Sequence, residues 1–137
     1  MAGAVMRAAL IAGTIAVSMA AACRRATEPA GVFCTEVFVM KTIYVRDVAG
    51  APVSDATIRT TLLRTGEELV PHSLGLMVPG NYIIVDDGAR TAIRRTGDDI
   101  RVTGASASGG FSADYVFNVP EGCHINKVSG PDTVTVN

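Results

Sequence analysis

Phe111-Ser-Ala-Asp-Tyr-Val-Phe-Asn-Val119 places Phe111, Ala113, Tyr115, Phe117 and Val119 at every second position, with Ser112, Asp114, Val116 and Asn118 between them. A strand turns successive side chains to opposite faces, so this period predicts one buried face and one wetted face. The same alternation appears upstream. In Val53 to Arg64, the residues Ala56, Ile58, Thr60 and Leu62 form one row, and Asp55, Thr57, Arg59 and Thr61 form the other.

Working outward from these two segments, the chain has no long stretch of helical periodicity. It has short runs rich in Val, Ile, Thr, Tyr and Phe, cut by Gly, Pro, Asn and Asp at intervals near ten residues. Strands are expected at Glu36 to Asp47, Val53 to Arg64, Glu67 to Ser73, Asn81 to Asp86, Thr91 to Arg95, Ile100 to Gly104 and Phe111 to Val119. A last hairpin is expected from Cys123 to Val128 and Thr133 to Val136. Ala49-Gly50-Ala51-Pro52 supplies the turn of a first hairpin, and Gly104-Ala-Ser-Ala-Ser-Gly-Gly110 reads as a flexible hairpin loop. The fold class implied is all-β: an Ig-like antiparallel β-sandwich of about seven strands, with a small closed barrel as the alternative.

The chain has 137 residues, 12 basic and 13 acidic, so there is room for one domain and no basic surplus to attract nucleic acid. Its opening carries a single positive charge at Arg7. Residues 8–22 are then uniformly apolar or small and uncharged, the core of a signal peptide and too short to span a bilayer comfortably. Residues 1–22 are therefore expected to be removed, 23–32 to form a polar tether containing Pro29, and 33–137 to fold.

Ala20-Ala21-Ala22-Cys23 resembles the bacterial lipobox, although Ala20 stands where that motif prefers Leu. The resemblance implies acylation of Cys23 and attachment to a membrane of the cell envelope. Arg24 is not the Asp that retains such proteins at the inner membrane, so a diderm source would send it to the outer one. Ala20-x-Ala22 also suits the ordinary signal peptidase, which would cut the same bond and leave a free thiol. With Cys23 assigned to lipid, Cys34 and Cys123 remain as an even pair, expected to be bridged in an oxidising compartment.

Val45-Arg-Asp-Val-Ala-Gly-Ala-Pro-Val-Ser-Asp-Ala-Thr-Ile58 is similar to the opening of carboxypeptidase regulatory-like domains, which share the transthyretin-like sandwich. Pro79-Gly-Asn-Tyr82-Ile-Ile84 resembles a strand that such domains place later. Gly-Cys-His-Ile at 122–125 is like a run near the end of small bacterial lipoproteins of this kind, where the cysteine is structural. With no enzyme constellation among its residues, the chain is expected to serve as a non-catalytic binding or structural module. The chain ends Thr-Val-Thr-Val-Asn137 rather than in the Tyr-Arg-Gly-Ser of the hydroxyisourate hydrolases, which share the wider fold. Lys41 falls in the row Val37, Val39, Lys41, Ile43, Val45, which allows an isopeptide of the kind found in collagen-adhesin domains, with an exposed lysine at the strand end as the plainer reading.

Few residues offer chemistry. His72 and His124 are the two histidines, and neither has a second ligand at metal spacing. Asp86-Asp87-Gly88 and Gly97-Asp98-Asp99 bracket two loops whose carboxylates could share a calcium ion, but Asp and Gly are also what tight turns require. No Gly-x-Ser-x-Gly elbow is present, and Tyr44, Tyr82 and Tyr115 lie within strands, leaving no aromatic platform for sugars. The expectation is no catalytic residue, no metal and no cofactor, with an envelope or extracellular protein as partner. The alternative is a hydrolase or enzyme accessory with a site near His124 or the acidic loops.

Overall fold

The structure is a computed structural model that describes residues 34–72 and 78–137. The expected signal peptide, Cys23, the expected tether and Phe33 lie outside the described residues, as does Ser73. Eight strands are seen: β1 (Met40–Arg46), β2 (Thr57–Leu62), β3 (Glu67–Glu68), β4 (Asn81–Asp86), β5 (Asp98–Ser106), β6 (Gly109–Asn118), β7 (Asn126–Ser129) and β8 (Thr133–Thr135). A single 3-10 turn, Asp87–Ala89, follows β4. No helix among the described residues is long and apolar enough to cross a membrane.

The strands form two sheets of order β4-β1-β8 and β3-β2-β5-β6-β7, which pack as an all-β sandwich. The rows read from the sequence face as their period demands. Tyr115, Phe117 and Val119 are fully buried with Phe111 and Ala113 beside them, while Ser112 and Asp114 are exposed. On β2, Thr60 and Leu62 are buried and Thr57 and Arg59 exposed. Thr60 is a polar residue in an apolar row, and its hydroxyl reaches across the sandwich to donate to Ile84 O at 2.7 Å. From the other sheet Ile43, Val45, Ile84 and Val85 close the core against Ile100 and Val102. Each such side chain contributes about 1.5–3 kcal/mol by leaving water.

On β4 the alternation fails, since Ile83, Ile84, Val85 and Asp86 are all buried. The cause is a bulge. The register against β1 shifts between Lys41 and Thr42, where Lys41 faces Val85 and Thr42 faces Ile83, and the extra residue on β4 locally resets which side chains point inward.

Several expectations are corrected. The first and second strands form a hairpin only at its turn, where Arg46 and Pro52 make an antiparallel bridge and Val53 N–H donates to Val45 O; beyond it β2 joins the other sheet. That turn is closed by Asp47, whose Oδ1 accepts from the N–H of Ala49 and Ala51, and by Gly50 at φ 88°. The last two strands also part, β7 to the larger sheet and β8 to the smaller, and β8 runs parallel to β1 in an otherwise antiparallel fold. Thr91 to Arg95 is not a strand: the N–H groups of Ala92 and Ile93 both donate to Ala89 O, which winds the segment into turns.

The Gly/Ser stretch is no flexible loop either. Gly104, Ala105 and Ser106 continue β5 opposite Phe111, Gly110 and Gly109, and only Ala107 and Ser108 make the reversal. Gly104 is needed there, because the Phe111 ring occupies the space any side chain would take. The expected strands at Glu36 to Asp47, Val53 to Arg64 and Glu67 to Ser73 begin later or end sooner than their composition suggests. In two of them the backbone is taken by another partner: Val39 N–H goes to an Asp87 carboxylate oxygen, and His72 N–H goes to Asp86.

Candidate functional site

One end of the sandwich gathers nearly every polar residue singled out in the sequence. There β1 begins, β4 ends into the 3-10 turn, and the segments 90–97 and 119–125 run without ladder partners. The disulfide Cys34–Cys123 is present at this end, with Cα atoms 5.2 Å apart. It fixes the start of the folded chain to the segment before β7, and it brings the following residue of each cysteine, Thr35 and His124, into contact.

His124 stands at the centre of a short chain of polar groups. Its Nδ1 is 2.7 Å from Asp87 Oδ2 and its Nε2 is 2.9 Å from Thr35 Oγ1. Asp87 is buried and accepts two further bonds, from Ile125 N–H at Oδ1 and Val39 N–H at Oδ2, both at 2.9 Å. Burial alone would push the Asp87 carboxyl up. The His124 bond and the two backbone donors outweigh it and hold the carboxyl below its ordinary value. A neutral imidazole that donates from Nδ1 to this carboxylate leaves Nε2 to accept from the Thr35 hydroxyl.

Asp86 points the other way from the same corner. It accepts from His72 N–H at 2.6 Å and Gly88 N–H at 2.9 Å, and the largely exposed His72 imidazole lies 3.8 Å from it. A Cβ at Gly88 would meet that imidazole, so a side chain there would require the exposed His72 ring to swing away. Phe38, His72, Asp87, Gly88, Arg90 and Thr91 line an open groove of about 340 Å³. His72 and Asp87 thus share a concavity, and His124 reaches Asp87 from behind it.

The second acidic loop contributes one buried and one exposed carboxylate, Asp98 and Asp99. Asp98 accepts from Arg94 N–H and the Arg94 and Arg64 guanidinium groups, each at 2.8 Å. Burial pushes this carboxyl up, and its bonds to Arg64 and Arg94, with their charges, hold it below its ordinary value. Of the loop carboxylates that a calcium ion could use, those of Asp86, Asp87 and Asp98 are committed to N–H donors, and Asp99 is exposed. Among the described residues no group of three or more His, Cys, Asp and Glu side chains is placed to hold a metal ion.

Lys41 lies half-buried on β1 opposite Val85. Tyr115 is buried on β6, and burial, with the Asp132 charge, pushes its hydroxyl up to about 12. Sequence reasoning found His124 and both acidic loops but missed Thr35, Arg64 and Arg94 as their partners. No local signal marks a pairing across 89 or 34 residues, and Arg94 to Asp98 at spacing four carries meaning only in a helix. Compared with known proteins, the chain matches no family model, no curated protein and no solved structure.

Proposed function

We propose that the chain is an exported, acyl-anchored protein of the cell envelope whose sandwich is a non-catalytic binding or structural module. The observation that carries this reading is the Cys34–Cys123 bridge. A disulfide belongs to an oxidising compartment, and it uses two of three cysteines, leaving Cys23 directly behind Ala20-Ala21-Ala22 at the end of a signal-peptide core. Likeness to carboxypeptidase regulatory-like domains supports the choice of a module over an enzyme. The partners are the membrane, through acylated Cys23, and an envelope or extracellular protein. In a diderm cell the membrane is the outer one.

Intact mass of the mature protein from the membrane fraction of an expressing bacterium tests this. Expected is a chain beginning at Cys23 with added acyl mass and two hydrogens fewer for the bridge, and a Cys23→Ser variant found off the membrane. An unmodified soluble product would overturn the anchor.

A second reading is favoured by one observation, the order Thr35, His124, Asp87. A hydroxyl, a base and a buried orienting acid within hydrogen-bond reach are the parts of an activated nucleophile. The same bonds also serve to clamp three segments together. Thr35→Ala separates the two: a hydrolase loses turnover of a chromogenic ester while its stability is nearly unchanged, and a clamp has no turnover to lose.

A further inference from the structure

We propose that the disulfide end of the sandwich faces the bilayer, with Val37 and Phe38 seated in the interfacial layer of the membrane that carries the anchor. This rests on acylation at Cys23. The folded chain leaves its anchor side at a point that cannot swing. Cys34 is bonded to Cys123, Thr35 to His124, and Val39 N–H to Asp87, so residues 34–39 are pinned to the end of the sandwich from three directions.

Only residues 24–33 separate Cys23 from that point, a contour of at most roughly 40 Å when fully extended. An attachment of that length holds the domain at an effective concentration near the millimolar range relative to the surface. A patch too weak to bind from solution therefore docks once tethered.

The patch is present where the tether arrives. Val37 is 66% exposed and Phe38 49%, and Phe38 is the one exposed aromatic side chain among the described residues. Met40 and Leu63 leave further apolar surface at the same end. Arg90 lines the groove beside Phe38, and the Arg95 guanidinium lies against Gly122, next to the disulfide. Neither arginine forms an ion pair among the described residues, and both are exposed, which suits side chains that bury their stems and raise their charge to headgroup phosphates. Glu36 and Glu121 are exposed at this end too, so apolar insertion and not net charge drives the contact. Docking is accordingly expected on neutral lipid.

The chain contains no tryptophan, so Phe38→Trp installs a single emitter at the patch, and Val48→Trp installs one in the Asp47 to Pro52 turn at the opposite end. Each full-length variant is purified from membranes and reconstituted in phosphatidylcholine vesicles with or without brominated acyl chains. For Phe38→Trp the emission is expected to shift to shorter wavelength and to fall roughly twofold with brominated lipid, as for a ring a few ångströms below the headgroups. Val48→Trp emission is expected to be unchanged.

Water-like, unquenched Phe38→Trp emission in an acylated protein would overturn the proposal. So would equal quenching at both ends, or a shift that appears only when other membrane proteins are added. Should Phe38→Trp not fold, Val37→Trp carries the same outcomes. The mass of each sample reports acylation separately. If the acyl group is missing, the anchor reading fails by itself, and coupling the Cys23 thiol to a maleimide-headgroup lipid restores the attachment so that quenching still decides the docking.

Discussion

The two ends of the sandwich reverse the same chain by different means. At the end opposite the disulfide, strands turn in a few residues. Ala107 and Ser108 suffice between β5 and β6, and Asp47 to Pro52 closes on its own backbone and one carboxylate at the surface. At the disulfide end the chain makes long excursions through 34–39, 87–97 and 119–125, whose N–H groups have no ladder to join. Buried carboxylates take the ladder's place. Asp87 and Asp98 each accept at least two bonds from these segments, and Asp86 accepts from Gly88 within them and from His72 outside them; charge-assisted bonds of this kind offset the cost of burying the charge. The short turn at Ala107 also borrows an acceptor, Asp55 Oδ2, but an exposed one; the long excursions rest on carboxylates that are buried.

The strongest way to break this contrast is to open the disulfide end. Replacing Cys34 and Cys123 with Ser removes a crosslink spanning 89 residues. The chain-entropy relation then gives a loss of about 4–5 kcal/mol, read as a lower midpoint in urea. Asp98→Ala strands two arginine side chains and the Arg94 N–H around an empty site, and about 3 kcal/mol is expected in the same assay. A loss no larger than that at a surface turn would make the buried acceptors dispensable.

Acid sharpens the contrast further. Asp87 and Asp98 are held below their ordinary values in the folded chain, so their stabilisation is present above the unfolded value of about 4. It is lost as pH falls through that value toward the folded ones. Melting temperature should therefore decline more steeply below about pH 4 in the native chain than in Asp98→Ala, and identical acid limbs would mean that Asp98 does not carry the effect.

At the other end the effects shrink. Asp47→Ala frees the N–H groups of Ala49 and Ala51 to water and should cost about 1 kcal/mol or less. Smallest of all, Arg101→Ala removes the bidentate pair with Asp114 on the solvent face of the larger sheet, and no resolvable change in melting temperature is expected.

The parts of the fold that were legible are those governed by period. Phe111 to Val119 and Ala56 to Leu62 show their buried rows in the sequence because each strand keeps its pleat from end to end. Asn81 to Asp86 was legible in its bounds but not in its facing, since the bulge opposite Lys41 and Thr42 is set by the partner strand. Pairing was the least legible. Thr91 to Arg95 has strand-like residues, yet Arg94 is drawn into the shell of Asp98 and the segment winds instead. At the candidate site, Asp-Asp-Gly announces a turn equally well whether its carboxylates face water or three buried N–H groups. What separates the cases is His124, Ile125 and Val39, which meet Asp87 only in the fold.

The parallel pairing of β1 with β8 sets a clock for folding. Tyr44, Val45 and Arg46, in the middle strand of the smaller sheet, lie beside Thr133, Val134 and Thr135, so the first strand made is completed by the last. A chain delivered across a membrane N-terminus first holds β1 with one side open until nearly all of it has emerged. Contacts this distant in sequence slow the search for the native state. Under the export proposed above, the open side of β1, which carries Ile43 and Val45, is offered throughout that interval to whatever binds apolar strands.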